Sequence, residues 1–312
     1  MFFQKPWWDV LRDWRAYQRL LTLFTTSDRA RFWALGSLPL LWLLGAHLLP
    51  LLQMAVISFY TQFPVIDESR TTFTLQNYLT FFRRSVYLTA FGRTLLFATL
   101  VSFSTLIMVY PIAYFIAQVA EQQKQLRYLL LLLAPYWASY IIRTFAWMIV
   151  LGNKGLLNAI LRWLGVIDEP VPFMYTSFSL SMGVLYVTIL YMLLPLYSSI
   201  EKIDSSLLQA AADLGATPFQ RFLRVTLPLS KEGIFTGCLL VFILTSGLYA
   251  VPVLLGGPHT TLFAESIGNY FSATSQGEWP MGCALAFILL LVMLGIAGVS
   301  LRVIRISGEK LL

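Results

Sequence analysis

Six long apolar runs alternate with short polar connectors along this chain, at approximately 33–60, 94–119, 128–151, 178–200, 234–255 and 281–301. A hydrocarbon core about 30 Å thick takes roughly 20 apolar residues in helical form, and each run meets that length. Membrane strands would alternate in character from residue to residue, and these runs do not. The pattern therefore predicts an all-α membrane protein, a bundle of six transmembrane helices over residues 33–305. Residues 1–32 precede it and a charged tail, 306–312, follows it.

Residues 1–32 mix Trp, Leu and Arg, where a signal peptide would place a short basic head and an apolar core. They read as an amphipathic helix lying at the membrane surface, with Trp7, Trp8 and Trp14 at headgroup level. A partly ordered basic tail is the alternative. Five of the six runs carry proline (Pro39 and Pro50, Pro111, Pro135, Pro195, Pro252). Kinked helices around a water-filled path accommodate this, because neighbours and water satisfy the freed carbonyls.

Composition agrees with lipid as the solvent. The chain is 58% hydrophobic and 12% charged, with a mean hydropathy of +0.71, whereas soluble domains hold about 25% charged residues. The net charge of +7 follows from topology. With both termini in the cytoplasm, the inner segments hold six, two, four and three Lys and Arg residues in chain order, fifteen together. The outer loops hold six: Arg70, Arg83, Arg84, Arg93, Lys154 and Arg162. That asymmetry is the positive-inside pattern, so the charge calls for no nucleic-acid partner. Cys238 and Cys283 sit in apolar runs and read as small buried hydrophobes; no metal site is expected.

One connector differs from the rest. "LLQAAADLGATPFQRFLRVTLPLS", 207–230, looks like a soluble helical hairpin and falls on the cytoplasmic side. Ile203, Leu207, Leu208, Ala211 and Leu214 share one helical face. Gly215 supplies a left-handed stop, Thr217 a cap and Pro218 a first helical position. Pro228 is expected to end the second helix. The small residues Ala210, Ala211 and Ala212 would let another surface approach the backbone, though packing against the chain's own spans is also open.

This hairpin resembles the EAA motif of ABC importer membrane subunits: Glu-Ala-Ala, three residues, Gly, then a second helix ending near Leu-Pro. It matches at Ala210, Ala211, Asp213, Gly215, Phe222, Val225, Leu227 and Pro228, and carries Gln209 where the motif usually has Glu. The segments "TLQNYLTFF" (74–82), "PYWASYIIRTFAWMIVLGNKGLLN" (135–158), "PLYSSIEKID" (195–204) and "VPVLLGG" (251–257) are similar to the spermidine/putrescine permease subfamily, over residues 70–305. The resemblance implies a MetI-like permease fold in a bacterial inner membrane, forming half of an import path for a polyamine-like solute. It implies as partners a second related permease, two ABC ATPase subunits and a periplasmic or lipid-anchored solute-binding protein. The hairpin, 203–230, would then be the coupling element. Gln209, Ala210, Ala211, Asp213, Leu214, Gly215, Ala216 and Phe219 would meet an ATPase cleft.

No G-x-x-x-x-G-K-[ST] loop occurs, so the chain is not expected to be an enzyme, and ATP and Mg would be bound by the ATPase partners. Arg143 falls within the third run, where a charge costs about 2.5–3.5 kcal/mol on insertion scales. It reads either as a pathway residue or as a cap for carbonyls near the outer interface. Trp137, Tyr140 and Tyr249 are further pathway candidates, because they lie in the segments similar to the subfamily. The subfamily often has an acid where this chain has Val253, which leaves Glu265 and Glu278 as the acids near the outer mouth. His47 and His259 have no acidic partner in the runs and suggest no proton relay. Alternatives are an importer of another small polar solute (amino-acid-derived or an organic acid), an ion-coupled carrier, which would need buried carboxylates or an inverted repeat, and a non-transporting scaffold.

Overall fold

The computed structural model describes residues 28–63, 72–272 and 278–309. The expected surface helix with Trp7, Trp8 and Trp14 lies outside the described residues, as do 310–312 of the tail. Residues up to Ser58 and from Phe59 onward form two compact units.

The first unit contributes α1 (Asp28–Ile57), which holds Pro39 and Pro50 inside a continuous helix. Leu41, Trp42 and Leu49 on it are exposed. His47 Nδ1 lies 3.1 Å from the Leu43 carbonyl oxygen one turn back, a local bond rather than a relay.

The second unit begins with α2 (Gln76–Arg83) and α3 (Ser85–Tyr114), which passes into a π turn, Phe115–Val119. There follow α4 (Gln122–Leu133), a 3-10 turn (Ala134–Trp137), α5 (Tyr140–Leu151), α6 (Leu156–Trp163) and α7 (Ser177–Glu201). The hairpin helices are α8 (Ser205–Asp213) and α9 (Pro218–Leu229). Last come α10 (Lys231–Gly247), α11 (Ala250–Leu255), α12 (Phe263–Asn269) and α13 (Trp279–Glu309). Among the described residues, β pairing is limited to two isolated bridges, Tyr60 with Phe73 and Phe63 with Glu278.

Helices α3, α7 and α10 pack mutually and form the main core, burying Val109, Ile116, Val184, Leu193 and Val241. Without a hydrophobic force between helices in lipid, close van der Waals contact holds them together. The segment "GIFTG" supplies it: a Cβ on Gly233 would stand 2.5 Å from Ser199 Cβ, and one on Gly237 2.6 Å from Met192 Sδ. The four-residue spacing puts both glycines on the face that meets α7. A second cluster joins α2, α3, α12 and α13 through Phe81, Phe263, Leu285 and Leu289, with Phe81 and Phe91 edge-on to Phe263. Buried hydroxyls return to the helix: Thr94, Ser102, Thr105 and Thr188 each donate to the carbonyl one turn back. Both thiols are free, with Cys283 buried and Cys238 half-buried.

Among the described residues, five helical stretches are long and apolar enough to cross a membrane, and a sixth if α9 and α10, bent by 66°, count together. Two expected spans are interrupted. The run 128–151 is split at Ala138 and Ser139, both extended with ψ of 144°. Pro135 cannot donate to the carbonyl one turn back, and Ser139 restarts the helix as a cap for the Ile141 N–H. The run 234–255 breaks at Leu248, whose ψ is 123°. Pro252 lacks the N–H that would have bonded the Leu248 carbonyl.

Candidate functional site

The eight expected coupling residues lie on one hairpin, and its turn is built as the local chemistry demands. Asp204 Oδ1 accepts the Ser206 N–H at 2.9 Å and caps α8. That bond holds the Asp204 carboxyl below its ordinary range. Gly215 takes φ +81°, and the N–H groups of Gly215 and Ala216 reach the carbonyls of Ala212 (2.8 Å) and Ala211 (3.0 Å), a Schellman closure. Thr217 and Gln220 form a reciprocal capping box, at 3.0 and 3.3 Å, with Pro218 opening α9. Helix α9 ends at Leu229, one residue past Pro228. The π turn Phe222–Thr226 widens the helix ahead of it, which relieves the proline clash. The chain bends only at Ser230.

The base of the hairpin is fixed and its tip is bare. Gln118 Nε2 donates to the carbonyls of Ile200 (2.8 Å) and Ile203 (3.1 Å), tying the π turn after α3 to the entry of α8. Phe222 meets Tyr110 and Tyr114 edge-on, and the Tyr110 hydroxyl lies 2.8 Å from Ser230 Oγ. In contrast, Leu214 is 89% exposed and Phe219 68%. Gln209, Ala210, Asp213 and Gly215 are exposed, while Ala211 and Ala216 are half-buried. A hollow of about 240 Å³ in the crook is lined by Ala211, Leu214, Gly215, Arg221 and Arg224. Gln118 was missed by the sequence reading. Its signal was a lone amide closing an apolar run.

The four pathway candidates fall at the two helix breaks but do not form one cluster. Trp137 (84% exposed) and Tyr140 flank the break before α5. Tyr249 stands at the head of α11 and its ring fills the space above Gly268, where a Cβ would come within 2.2 Å. Helix α5 packs against both α7 and α11. Arg143 lies in the first turn of α5, and its Nε and Nη1 are enclosed without a hydrogen-bond partner, so neither caps a carbonyl. Its Cζ lies 4.1 Å from the centre of the Tyr136 ring and 5.8 Å from that of Tyr186. Those rings are stacked at 6.1 Å, Trp147 stands edge-on to Tyr186 at 5.8 Å, and the Tyr136 hydroxyl donates to the Tyr186 carbonyl at 2.6 Å. Tyr136 and Tyr186 lie 50 positions apart, so no local pattern could have paired them.

At the other end of α7 the connectors are braced. Buried Asn158 donates to the carbonyls of Gly152 (3.2 Å) and Val171 (3.0 Å) and accepts the Val171 N–H (2.9 Å). Ser179 Oγ donates to the Leu255 carbonyl at 2.7 Å, and Arg93 Nη1 to that of His259 at 2.8 Å. Burial raises the Glu265 carboxyl above its ordinary range. Glu278 shares a hollow of about 390 Å³ with Arg84, Tyr87 and Tyr270.

Residues 32–305 match the family described as binding-protein-dependent transport system inner membrane component. The spermidine/putrescine transport system permease protein PotB of Escherichia coli (strain K12) is 37% identical over 272 residues, covering 86% of this chain and 96% of that protein. A chain in the crystal structure of a bacterial ABC transporter involved in the import of the acidic polysaccharide alginate superposes with TM-score 0.62 at 19% identity, covering 96% of this chain and 98% of the other. Another, from the alginate transporter in complex with an alginate pentasaccharide-bound periplasmic protein, gives 0.63 at 19% identity, covering 95% and 96%. The chain is thus homologous to PotB permeases and has the MetI-like fold of ABC importer permeases.

Proposed function

We propose, on the premise that this chain belongs to the binding-protein-dependent transport system inner membrane component family, that it forms half of the path of an ATP-driven importer for a polyamine-like solute. The other half is a second, related permease. Two ABC ATPase subunits bind the ATP and Mg and dock one on each permease, and a periplasmic or lipid-anchored binding protein delivers the solute. Both termini, and with them the hairpin, face the cytoplasm. Gln209, Ala210, Asp213, Leu214 and Phe219 enter the ATPase cleft, and closure of that cleft moves α7 and α10 through the hairpin's fixed base.

The observation that carries this reading is the exposed tip on an anchored base. Leu214 and Phe219 stand in solvent on a hairpin whose caps are complete, and a mere connector would fold such side chains back on the spans. The solute class is supported by the identity to PotB over 86% of the chain. The test is to co-express the chain with its genomic neighbours, purify it and reconstitute it with the binding protein. An ATPase subunit should co-purify, and ATP hydrolysis should rise with spermidine or putrescine. A complex without an ATPase subunit defeats the importer reading, and stimulation only by other solutes defeats the polyamine assignment.

A further inference from the structure

The guanidinium of Arg143 lies over ring faces. Its Nε and Nη1 have no partner, and its Cζ stands 4.1 and 5.8 Å from the centres of Tyr136 and Tyr186. Stacked Tyr136 and Tyr186, with Trp147 edge-on behind, make an aromatic recess of the kind that takes an ammonium group. Beside the guanidinium is a hollow of about 220 Å³ lined by Arg143, Ala146, Trp147, Val150 and Tyr186. No Asp or Glu occurs between Gln122 and Leu151 or between Ser177 and Ile200, so neither helix run that builds the recess offers a carboxylate.

The recess also adjoins backbone that cannot face lipid. Ala138 and Ser139 interrupt the helix, and the carbonyls ahead of them lose their donors one turn on. Pro135, Trp137, Ala138, Ser139 and Tyr140 around this break are exposed on the chain. Irregular backbone at membrane depth persists only against protein or a water-filled cavity. The break therefore opens on the solute path or on the partner permease.

We propose that Tyr136, Tyr186 and Trp147 form a subsite for an alkylammonium group of the solute, and that Arg143 is a tethered cation that fills it between passages. This rests on the polyamine reading above. A solute ammonium enters by the hollow, displaces the guanidinium from the rings and takes its place; when the solute leaves, Arg143 returns. Filling the recess with the chain's own cation also keeps small cations from occupying it. An intramembrane arginine then fits a pathway for cations: it competes with the solute and does not have to attract it.

The experiment uses the reconstituted complex once polyamine-stimulated ATP hydrolysis is established for the wild type; absence of that stimulation overturns the polyamine reading itself. With it in hand, Arg143→Met removes the competitor. The expected result is a fall of about 5-fold in the solute concentration for half-maximal transport, the scale of one lost cation–π competitor, with Arg143→Lys close to wild type. In the Arg143→Met background, Tyr186→Phe keeps the fall and Tyr186→Leu abolishes it. An unchanged or raised half-saturation in an assembled, stimulated Arg143→Met complex overturns the proposal. Should Arg143→Met fail to assemble, the wild-type complex decides. A membrane-permeant arginine-specific dicarbonyl, read by peptide mass spectrometry, should label Arg143 more in the presence of polyamine, and equal or lower labelling overturns the proposal.

Discussion

The two ends of α7 carry connectors of opposite design. At its start, the segments 152–176, which include α6, and 256–262 are braced by the chain itself: Asn158 engages backbone with both ends of its amide, and Ser179 reaches the Leu255 carbonyl. At its end, the hairpin is fixed only at the base, through Gln118, Phe222 and Ser230, and exposes its tip. The 25 residues of α7 span about 37 Å at 1.5 Å per residue, so the two designs stand a membrane thickness apart. Bracing serves a surface that must hold its own shape. A bare tip on a stiff base serves a surface whose counterpart is another protein, because force applied there passes into the spans and does not dissipate within the loop.

The comparison is broken most severely at the braced end. Asn158→Ala removes three hydrogen bonds at a buried site and leaves the Val171 N–H unpaired, while the Gly152 and Val171 carbonyls keep the N–H groups of Gly155 and Phe173. A loss of about 3 kcal/mol in stability is expected, seen as a lower melting temperature of the purified complex. The fraction of folded complex that retains the ATPase subunit should not change. If ATPase retention falls while melting does not, the braced end is not self-contained and the contrast fails.

At the hairpin the expected outcome is inverted. Gly215 holds φ +81° and has nothing within 4 Å of where a Cβ would stand. Gly215→Val therefore acts through the backbone alone, by about 1–2 kcal/mol for a left-handed residue, more with β-branching. Melting should move little, because the hairpin's tip lies outside the core, yet solute-stimulated ATP hydrolysis should be lost as α8 and α9 change their angle. Gly215→Asn, which tolerates this region better, should retain part of the stimulation. Full stimulation in Gly215→Val would show that the angle between the two helices is not what couples.

What could be read from the sequence divides along the same line. The hairpin turn was legible because its determinants are neighbours in the chain: Gly215, Thr217, Pro218 and Gln220 act over five residues or fewer. The helical spans were legible from their length and apolarity. The breaks in two of them were not placed, since proline marks a weakness without saying whether a helix bends through it, as at Pro111 and Pro195, or stops beside it, as at Pro135 and Pro252. Pro228 stands one residue before the end of α9 at Leu229, with a π turn ahead of it. Gln118 to Ile200 and Tyr136 to Tyr186 join positions 82 and 50 apart, which a single sequence does not relate. The G-x-x-x-G of Gly233 and Gly237 was present as a pattern but was passed over, because its effect appears only against α7.

The smallest expected effect is the most specific to the free tip. Gln209 stands where the resembling motif has Glu, in the middle of α8 and exposed. It touches none of the hairpin's caps, so Gln209→Glu should leave melting within about 0.5 kcal/mol of wild type. Being away from either end of α8, it should also change little through the helix dipole. On the coupling reading proposed above, the ATPase cleft is the one surface left to respond, and it would be matched to a neutral amide here. A new charge there should weaken retention of the ATPase subunit by about 3-fold at low ionic strength, and the deficit should fade as salt screens it within a Debye length of about 8 Å at 0.15 M. The loss of melting stability in Asn158→Ala, which comes from an unpaired buried N–H, should not change with salt. Retention that is unchanged at every salt concentration would place Gln209 outside the contact and confine docking to Leu214, Phe219 and the crook beside Gly215.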